Sequence, residues 1–215
     1  MDVLDAIKAQ DAERVRRLLD ENPELAEARD ENGVSALMLS YYYGVPIGDE
    51  LREARTTPLD VFEAATVGDV ARLRELLDQD SSLVTAQSAD RTTALHFAAF
   101  FAQPEAVRLL LDRGADVHAV SPTFGNVTPL HSAAAAKSPE IVRMLLEAGA
   151  DPNARQTGSF RALHAAAQDG DAEMARDLLA HGADPSAATD DGRTPPSIAE
   201  QEGHDEVAAL LRRAP

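Results

Sequence analysis

Apolar residues recur at three- and four-residue intervals along much of the chain, which predicts short amphipathic helices. In one segment these residues are Val107, Leu110 and Leu111. A glycine follows each of three such segments, and glycine often ends a helix because it takes left-handed geometry without steric cost. These glycines are Gly114, Gly149 and Gly182. The pattern therefore predicts a protein built from short helices joined by tight turns.

The helical pattern belongs to a longer repeat. Three segments align, with the sequences TALHFAAFFAQPEAVRLLLDRGADVHA, TPLHSAAAAKSPEIVRMLLEAGADPNA and RALHAAAQDGDAEMARDLLAHGADPSA. Their first leucines, Leu95, Leu130 and Leu163, are separated by 35 and 33 residues. Each unit is predicted to form a helix, a tight turn, a second helix and a β-turn finger. Because no single unit can bury its own apolar face, the units must stack.

The motif T-P-L-H-x-A-A followed by V-x-x-L-L-x-x-G-A-D is nearly intact at these three places and resembles the ankyrin repeat. A fourth copy spans 192–213, with Pro196 in the leucine position. Val3, Leu37 and Val61 take that position in the N-terminal half. The resemblance implies an all-α ankyrin-repeat solenoid of about seven helix-turn-helix units with β-turn fingers.

The second unit is predicted to be truncated, because only 24 residues separate Leu37 from Val61. Residues 49–55 are the expected remnant of its outer helix. We predict a single domain over residues 1–215. Its approximate units are an N-terminal cap at 2–30, the truncated unit at 31–55, units at 56–88, 89–120, 121–153 and 154–187, and a C-terminal cap at 188–215.

Three histidines recur at one position of the repeat, namely His96, His131 and His164. A zinc ion needs its histidine nitrogens about 2.1 Å away, whereas stacked helices lie roughly 8–10 Å apart. The resemblance implies instead that each imidazole bonds to backbone near the finger. No Ser-His-Asp arrangement, phosphate-binding glycine loop or carboxylate pair is evident, so we predict no catalytic residue, no metal and no cofactor.

The resemblance implies that partners bind to the finger tips and to the late residues of the inner helices. Aromatic residues and arginines, which often anchor interfaces, fall at those positions. The predicted partner-binding residues are Tyr42, Tyr43, Arg91, Phe100, Phe101, Phe124, Phe160 and Arg193. The alternative is that the rings only fill gaps in an irregular stack.

Some residues depart from the repeat pattern. Arg91, Asn126 and Ser159 stand in the fingers where glycine is usual, and Ala102 replaces a turn glycine. Arg161–Ala162 replaces the Thr–Pro pair that opens a helix at Thr128. Such departures could shape the fingers for one partner or reflect drift.

Charge narrows the choice of partner. The chain has 20 Lys and Arg against 37 Asp and Glu, a net charge of −17, which disfavours nucleic acids and anionic membranes. The charge is compatible with a basic protein partner, and self-association is also open. There is no cysteine, no apolar leader and no apolar run of about 20 residues, which together favour the cytoplasm.

These observations predict a non-catalytic protein–protein interaction module that uses its concave face and finger loops. One alternative is a small-molecule binder or enzyme with a pocket at the truncated second unit, near Tyr41, Tyr43, Asp49 and Glu50. A deep, enclosed cavity there would favour it. The other alternative is an acidic decoy for a basic protein, whose binding would collapse with salt.

Overall fold

A computed structural model describes residues 2–214. The two end residues of the predicted domain, Met1 and Pro215, lie outside this range. Within it the chain forms fourteen α-helices, three 3-10 segments and isolated β-bridges, with no extended strand. The α-helices are α1 (Val3–Lys8), α2 (Ala12–Glu21), α3 (Ala36–Tyr42), α4 (Gly48–Ala54), α5 (Val61–Val67), α6 (Val70–Gln79), α7 (Ala94–Phe100), α8 (Pro104–Asp112), α9 (Pro129–Ala135), α10 (Pro139–Glu147), α11 (Ala162–Asp169), α12 (Ala172–Ala180), α13 (Pro195–Gln201) and α14 (Asp205–Arg213).

The helices form two layers. The odd-numbered helices pack on one another in chain order and make the inner layer, and the even-numbered helices make the outer layer. Each outer helix also packs on the inner helix before it, so the chain consists of seven helix pairs. This confirms the all-α solenoid that the repeat predicts.

The turn between the two helices of every pair contains one residue with positive φ. Glycine fills this position in four pairs, and Gln10, Ala102 and Lys137 fill it in the others with φ of 57°, 52° and 53°. Successive turn residues are 33 to 35 positions apart, except that only 24 separate Gly44 from Gly68. The short interval confirms that the second unit is truncated. These turn residues are Gln10, Gly44, Gly68, Ala102, Lys137, Gly170 and Gly203.

The truncation shortens the outer helix of the second pair. Helix α4 has seven residues, whereas the other outer helices have nine or ten. Val45, Ile47 and Leu51 are buried there. The ring of Tyr41 lies against Gly48, so closely that a Cβ on that glycine would be 3.0 Å from Cε2 of the tyrosine. Side chains of the shortened unit therefore pack closely around α4.

The apolar core divides at this joint. One cluster of buried side chains extends from Val3 to Leu51, and a second extends from Met38 to Leu211. A buried carboxylate lies next to the boundary. Glu63, on α5, is fully buried and accepts hydrogen bonds from Arg55 and Arg29. Ion pairing thus supplements apolar packing where the truncated unit meets the third.

Candidate functional site

The fingers turn through left-handed residues. Isolated bridges close three of them, between Arg29 and Ser35, Gln87 and Thr93, and Ser121 and Val127. In the three fingers that follow the first, a residue other than glycine has left-handed geometry. Each of these residues stands where the repeat usually has glycine. These are Arg91 with φ 61°, Asn126 with φ 62° and Ser159 with φ 58°.

A cleft of about 270 Å³ lies between these fingers and the inner helices α7, α9 and α11, and we call it the apolar cleft. Its floor includes Phe97 and small residues of the inner helices, among them Ala134 and Ala165. Its lining is mostly apolar. The remaining large rings that line it are Tyr42, Phe100, Phe124 and Phe160.

A second, wider cleft of about 790 Å³ adjoins the first along the inner face of α3. Tyr42, Phe97 and Phe124 line both clefts, so the two are direct neighbours. Arg29, Asp60 and Asp90 also line the second cleft and make it more polar. Together the clefts extend from α3 to α11 along one face of the stack.

The aromatic residues predicted to bind a partner are distributed between the two clefts and the core. Phe100 and Phe160 line the apolar cleft, and Tyr43 lines the wider one. Phe101 lines neither, because its half-buried ring packs against Tyr41 and Tyr42 at centroid distances of 5.6 and 5.5 Å. For Phe101 the structure therefore supports the packing alternative.

The rings at the site support one another. Tyr42 makes edge contacts with Phe97 at 6.4 Å and with Phe101 at 5.5 Å, and Phe101 contacts Phe100 at 5.1 Å. Burial, together with the nearby charge of Asp90, raises the pKa of Tyr42. The Phe100 side chain remains 43% exposed although its ring contacts that of Phe101. The ring of Phe100 is therefore packed on one side by Phe101 and open to solvent on the other.

The two arginines predicted to bind a partner lie outside both clefts. Arg91 is exposed at a finger tip. Arg193 is also exposed and its Nε donates to Asp191 at 2.8 Å. The finger of Arg91 borders the site through Asp90 and Thr92, whereas no residue of the Arg193 finger lines either cleft. The structure does not bring either arginine side chain together with the rings.

The repeated histidines have the structural role that the resemblance implies, with one exception. At the start of their helices, Nδ1 of His96 and of His131 lies 2.8 and 2.9 Å from a threonine hydroxyl. Nδ1 of His164 accepts a hydrogen bond from the N–H of Arg161. Nε2 of His96 bonds to the Val127 carbonyl at 3.2 Å, and Nε2 of His164 bonds to that of Ala187 at 3.0 Å.

His131 is the exception, because its buried Nε2 has no hydrogen-bond partner. Burial lowers the pKa of all three imidazoles, and that of His131 falls to about 4. The rings are therefore neutral near pH 7. Among residues 2–214 no three His, Asp or Glu side chains are grouped so as to hold a metal ion.

Phe97 and Arg161 are among the residues of the apolar cleft that sequence reasoning did not place in the binding site. Phe97 is nearly fully buried and resembles an ordinary core residue in the sequence. The signal for Arg161 was present, because it replaces the threonine that opens the helix in the preceding unit. Its Nε donates to the Asn153 carbonyl at 3.2 Å, and its Nη1 is buried without a partner.

The two clefts do not reproduce the pocket considered at the truncated unit. Of its four expected residues, Tyr43 lines the wider cleft, and Tyr41, Asp49 and Glu50 line neither. A third, open depression of about 240 Å³ lies beside the joint and is lined by other residues, among them Arg52 and Asp69. Asp49 is exposed, and Glu50 accepts a hydrogen bond from Arg16 at 2.9 Å. Tyr41 packs closely on Gly48 at this joint, and the depression beside it is open to solvent. The described residues of the joint therefore form no deep, enclosed cavity of the kind that this alternative requires.

Two family models match the chain. One, described as ankyrin repeats in three copies, matches residues 61–156, and the other, described as ankyrin repeats in many copies, matches residues 145–199. Together they cover nearly two thirds of the chain, from α5 to α13. The chain belongs to the ankyrin-repeat family. Ankyrin repeats generally mediate protein–protein interaction and are typically non-catalytic.

A relative in rice (Oryza sativa subsp. japonica) is named a probable E3 ubiquitin-protein ligase, XBOS31. It is 40% identical over 67 residues, which are 31% of this ankyrin chain and 15% of the relative. The chain thus matches less than a sixth of that protein's length. No helix within residues 2–214 combines the length and the apolar character needed to cross a bilayer.

Proposed function

We propose that this ankyrin-repeat chain is a non-catalytic interaction module that binds a protein partner through the inner-helix face and the fingers. The observation that carries the proposal is the pair of exposed rings at the apolar cleft, Phe100 at 43% and Phe124 at 51% exposure. The two rings belong to one mostly apolar cleft with Phe160, and contiguous exposed apolar surface of this kind marks interaction sites. Such rings are typical of anchor residues in protein interfaces.

The chemistry of the cleft supports binding rather than catalysis. His96 and His131 line it, but both are buried and both use Nδ1 at the start of their own helices. The apolar cleft, at about 270 Å³, is slightly smaller than small-molecule sites, which span roughly 300–1,000 Å³, whereas the adjoining wider cleft of about 790 Å³ falls within that range. The apolar cleft therefore suits a single protein side chain, and the preference for a protein partner rests on its exposed rings.

The charge of the chain bears on the type of partner. A net charge of −17 favours encounter with a protein of positive net charge and disfavours nucleic acids and anionic membranes. A second copy of this chain carries the same charge, so self-association is less favoured than binding a basic partner. The cytoplasm stays the proposed compartment on sequence grounds alone.

A capture experiment with matched variants tests the proposal. The wild-type protein, a Phe100→Ala/Phe124→Ala variant and a Val120→Ala control are immobilised and exposed to a lysate of the source organism. Val120 is 43% exposed but lines neither cleft, so it controls for the loss of any exposed apolar side chain. The proposal predicts a captured protein that the double variant binds at least about tenfold more weakly and the control binds normally.

Other outcomes point to the alternatives. A partner held equally by the double variant, with an affinity that falls steeply with salt, would favour the acidic decoy. Capture of this chain alone would indicate self-association. A small molecule retained without a protein would reject the interaction module.

A further inference from the structure

Arg161 brings a positive charge to the wall of an otherwise apolar cleft. Its guanidinium donates through Nε to the Asn153 carbonyl, while Nη1 is buried without an acceptor. No carboxylate of residues 2–214 lies within ion-pair distance of it. Asp184 is its acidic neighbour: hydrogen bonds from Ser186 and, to a smaller extent, the charge of Arg161 lower the pKa of that carboxyl. Because Nη1 has no accessible surface, the group that a partner can reach is Nη2, which makes no hydrogen bond within residues 2–214 and is not among the buried atoms. A partly buried guanidinium with an unused donor gains stability when another molecule supplies the acceptor.

The repeat shows that Arg161 is not needed to build its helix. In the corresponding position the chain uses Thr93, Thr128 and Thr194, which precede α7, α9 and α13. At α11 the backbone N–H of Arg161 still donates to His164, at 3.1 Å, so the helix begins without a threonine hydroxyl. The arginine side chain makes no capping hydrogen bond to this helix, and it lines the apolar cleft.

The shape of the cleft limits what lies beside this charge. The rings of Phe124 and Phe160 and the methyl groups of Ala134 and Ala165 line a space suited to one bulky apolar side chain. A guanidinium pairs best with a carboxylate, to which it can donate two parallel hydrogen bonds. The site therefore presents an apolar slot and a carboxylate-binding group next to each other.

We propose that the apolar cleft binds a short segment of the protein partner in which a bulky apolar residue enters the slot and a neighbouring Asp or Glu pairs with Arg161. This inference rests on the proposed function and specifies its recognition element. The acidic surface elsewhere repels carboxylates, so an acidic residue is accepted only where Arg161 reaches it. A partner of positive net charge that carries one local acidic residue satisfies both features.

Selection from a random twelve-residue peptide library displayed on phage tests this specificity. The targets are the wild-type protein, Arg161→Thr, Phe124→Ala and Arg108→Gln. Arg161→Thr installs the residue that the chain itself uses at this position in other units, so the fold should be kept. Arg108→Gln removes one positive charge from an exposed position on α8 and controls for the change in net charge.

Wild type and Arg108→Gln are expected to select peptides with a bulky apolar residue at a fixed spacing from Asp or Glu. Replacement of that acid by its amide in a synthetic peptide should weaken binding to the wild type by about tenfold and should hardly change binding to Arg161→Thr. Phe124→Ala should weaken binding of the selected peptides with or without the acid.

Two classes of result would overturn the inference. Peptides that keep the apolar residue but show no acid, that show Lys or Arg instead, or that keep the acid preference on Arg161→Thr would reject the role of Arg161 and leave the interaction module standing. Recovery of no peptide, or of peptides indifferent to Phe124→Ala, would reject both the inference and the proposed use of the cleft.

Discussion

Arg55 donates two hydrogen bonds, of 2.9 and 3.1 Å, to the two carboxylate oxygens of Glu63. Both side chains are buried, with exposures of 3% and 0%. Arg55 follows the shortened helix α4, and Glu63 belongs to α5 of the next unit. The pair therefore joins the two parts of the solenoid at the place where the repeat is irregular.

Removal of the arginine should weaken the fold strongly. Arg55→Ala leaves a buried carboxylate with less compensation, and loss of one member of a buried ion pair typically costs about 3–5 kcal/mol. Urea unfolding followed by circular dichroism measures the change. Arg52→Ala breaks a more exposed pair with Asp69 and should cost less than about 1 kcal/mol. Equal effects of the two variants would show that the buried pair does not stabilise the joint.

A glycine at position 102 should stabilise the protein. Ala102 has φ 52°, and an L-residue with a side chain pays roughly 1–2 kcal/mol in left-handed geometry. After the greater flexibility of glycine in the unfolded chain is subtracted, Ala102→Gly should raise the free energy of unfolding by about 0.5–1 kcal/mol. Ala136→Gly, at an ordinary φ of −75°, is the control and should lower it.

Acidification from pH 7 to pH 5 should destabilise the protein through His131. Burial lowers the pKa of His131 from 6.5 to about 4, so between these values the unfolded chain binds a proton that the folded chain does not. Stability is therefore complete above pH 6.5 and is lost as the pH falls towards 4. From the two pKa values, this histidine alone removes about 2 kcal/mol by pH 5.

Urea unfolding at both pH values measures the effect, with His131→Gln as the test variant. The variant should lose about 2 kcal/mol less than the wild type over this range, and His118→Gln, at an exposed position, should behave as the wild type. The range avoids the carboxylate of Glu27: burial opposes its ionisation, but hydrogen bonds from Thr57 and Thr56 lower its pKa to about 2. Parallel pH profiles for His131→Gln and wild type would refute the assignment.

Arg161→Thr should leave the protein about as stable as the wild type. The change removes a buried donor without an acceptor, and it adds a hydroxyl that can meet Nδ1 of His164 as Thr128 meets that of His131. It also removes the hydrogen bond from Nε of Arg161 to the Asn153 carbonyl, which offsets part of the gain. We expect the free energy of unfolding to stay within about 1 kcal/mol of the wild-type value or to rise slightly. A marked loss on thermal or urea unfolding would mean that Arg161 stabilises the fold and is not held for a partner.

The repeat predicted most of the fold because each unit has the same pattern of apolar residues and turn residues. Leucines, histidines and glycines at matched positions located the helix pairs from α7 to α12, and the 24-residue interval located the truncation. The contacts that join the truncated unit to the next one were less predictable. The pairing of Arg55 with Glu63 depends on a connection and a helix whose relative placement no local pattern describes. The residue boundaries of the units stay predictions.

The site was predictable only in part, for a physical reason. Exposed rings such as Phe100 and Phe124 stand out because aromatic residues are scarce in this chain and these two fall on a late inner-helix position and a finger. Phe101 has the same sequence signal, yet its ring turns towards Tyr41 and Tyr42. Which ring packs and which stays exposed depends on contacts between units. Arg161 was visible as a departure from the repeat, but its place in the cleft follows from how the finger folds.

The most direct test of the interaction surface is hydrogen–deuterium exchange of the protein with and without its captured partner. We predict slower exchange in residues 88–102, 121–136 and 156–166, which include the fingers and inner helices around the apolar cleft, with no change in the outer helices α8, α10 and α12. Protection confined to the outer helices, with the cleft unchanged, would contradict the assignment of this face as the binding site.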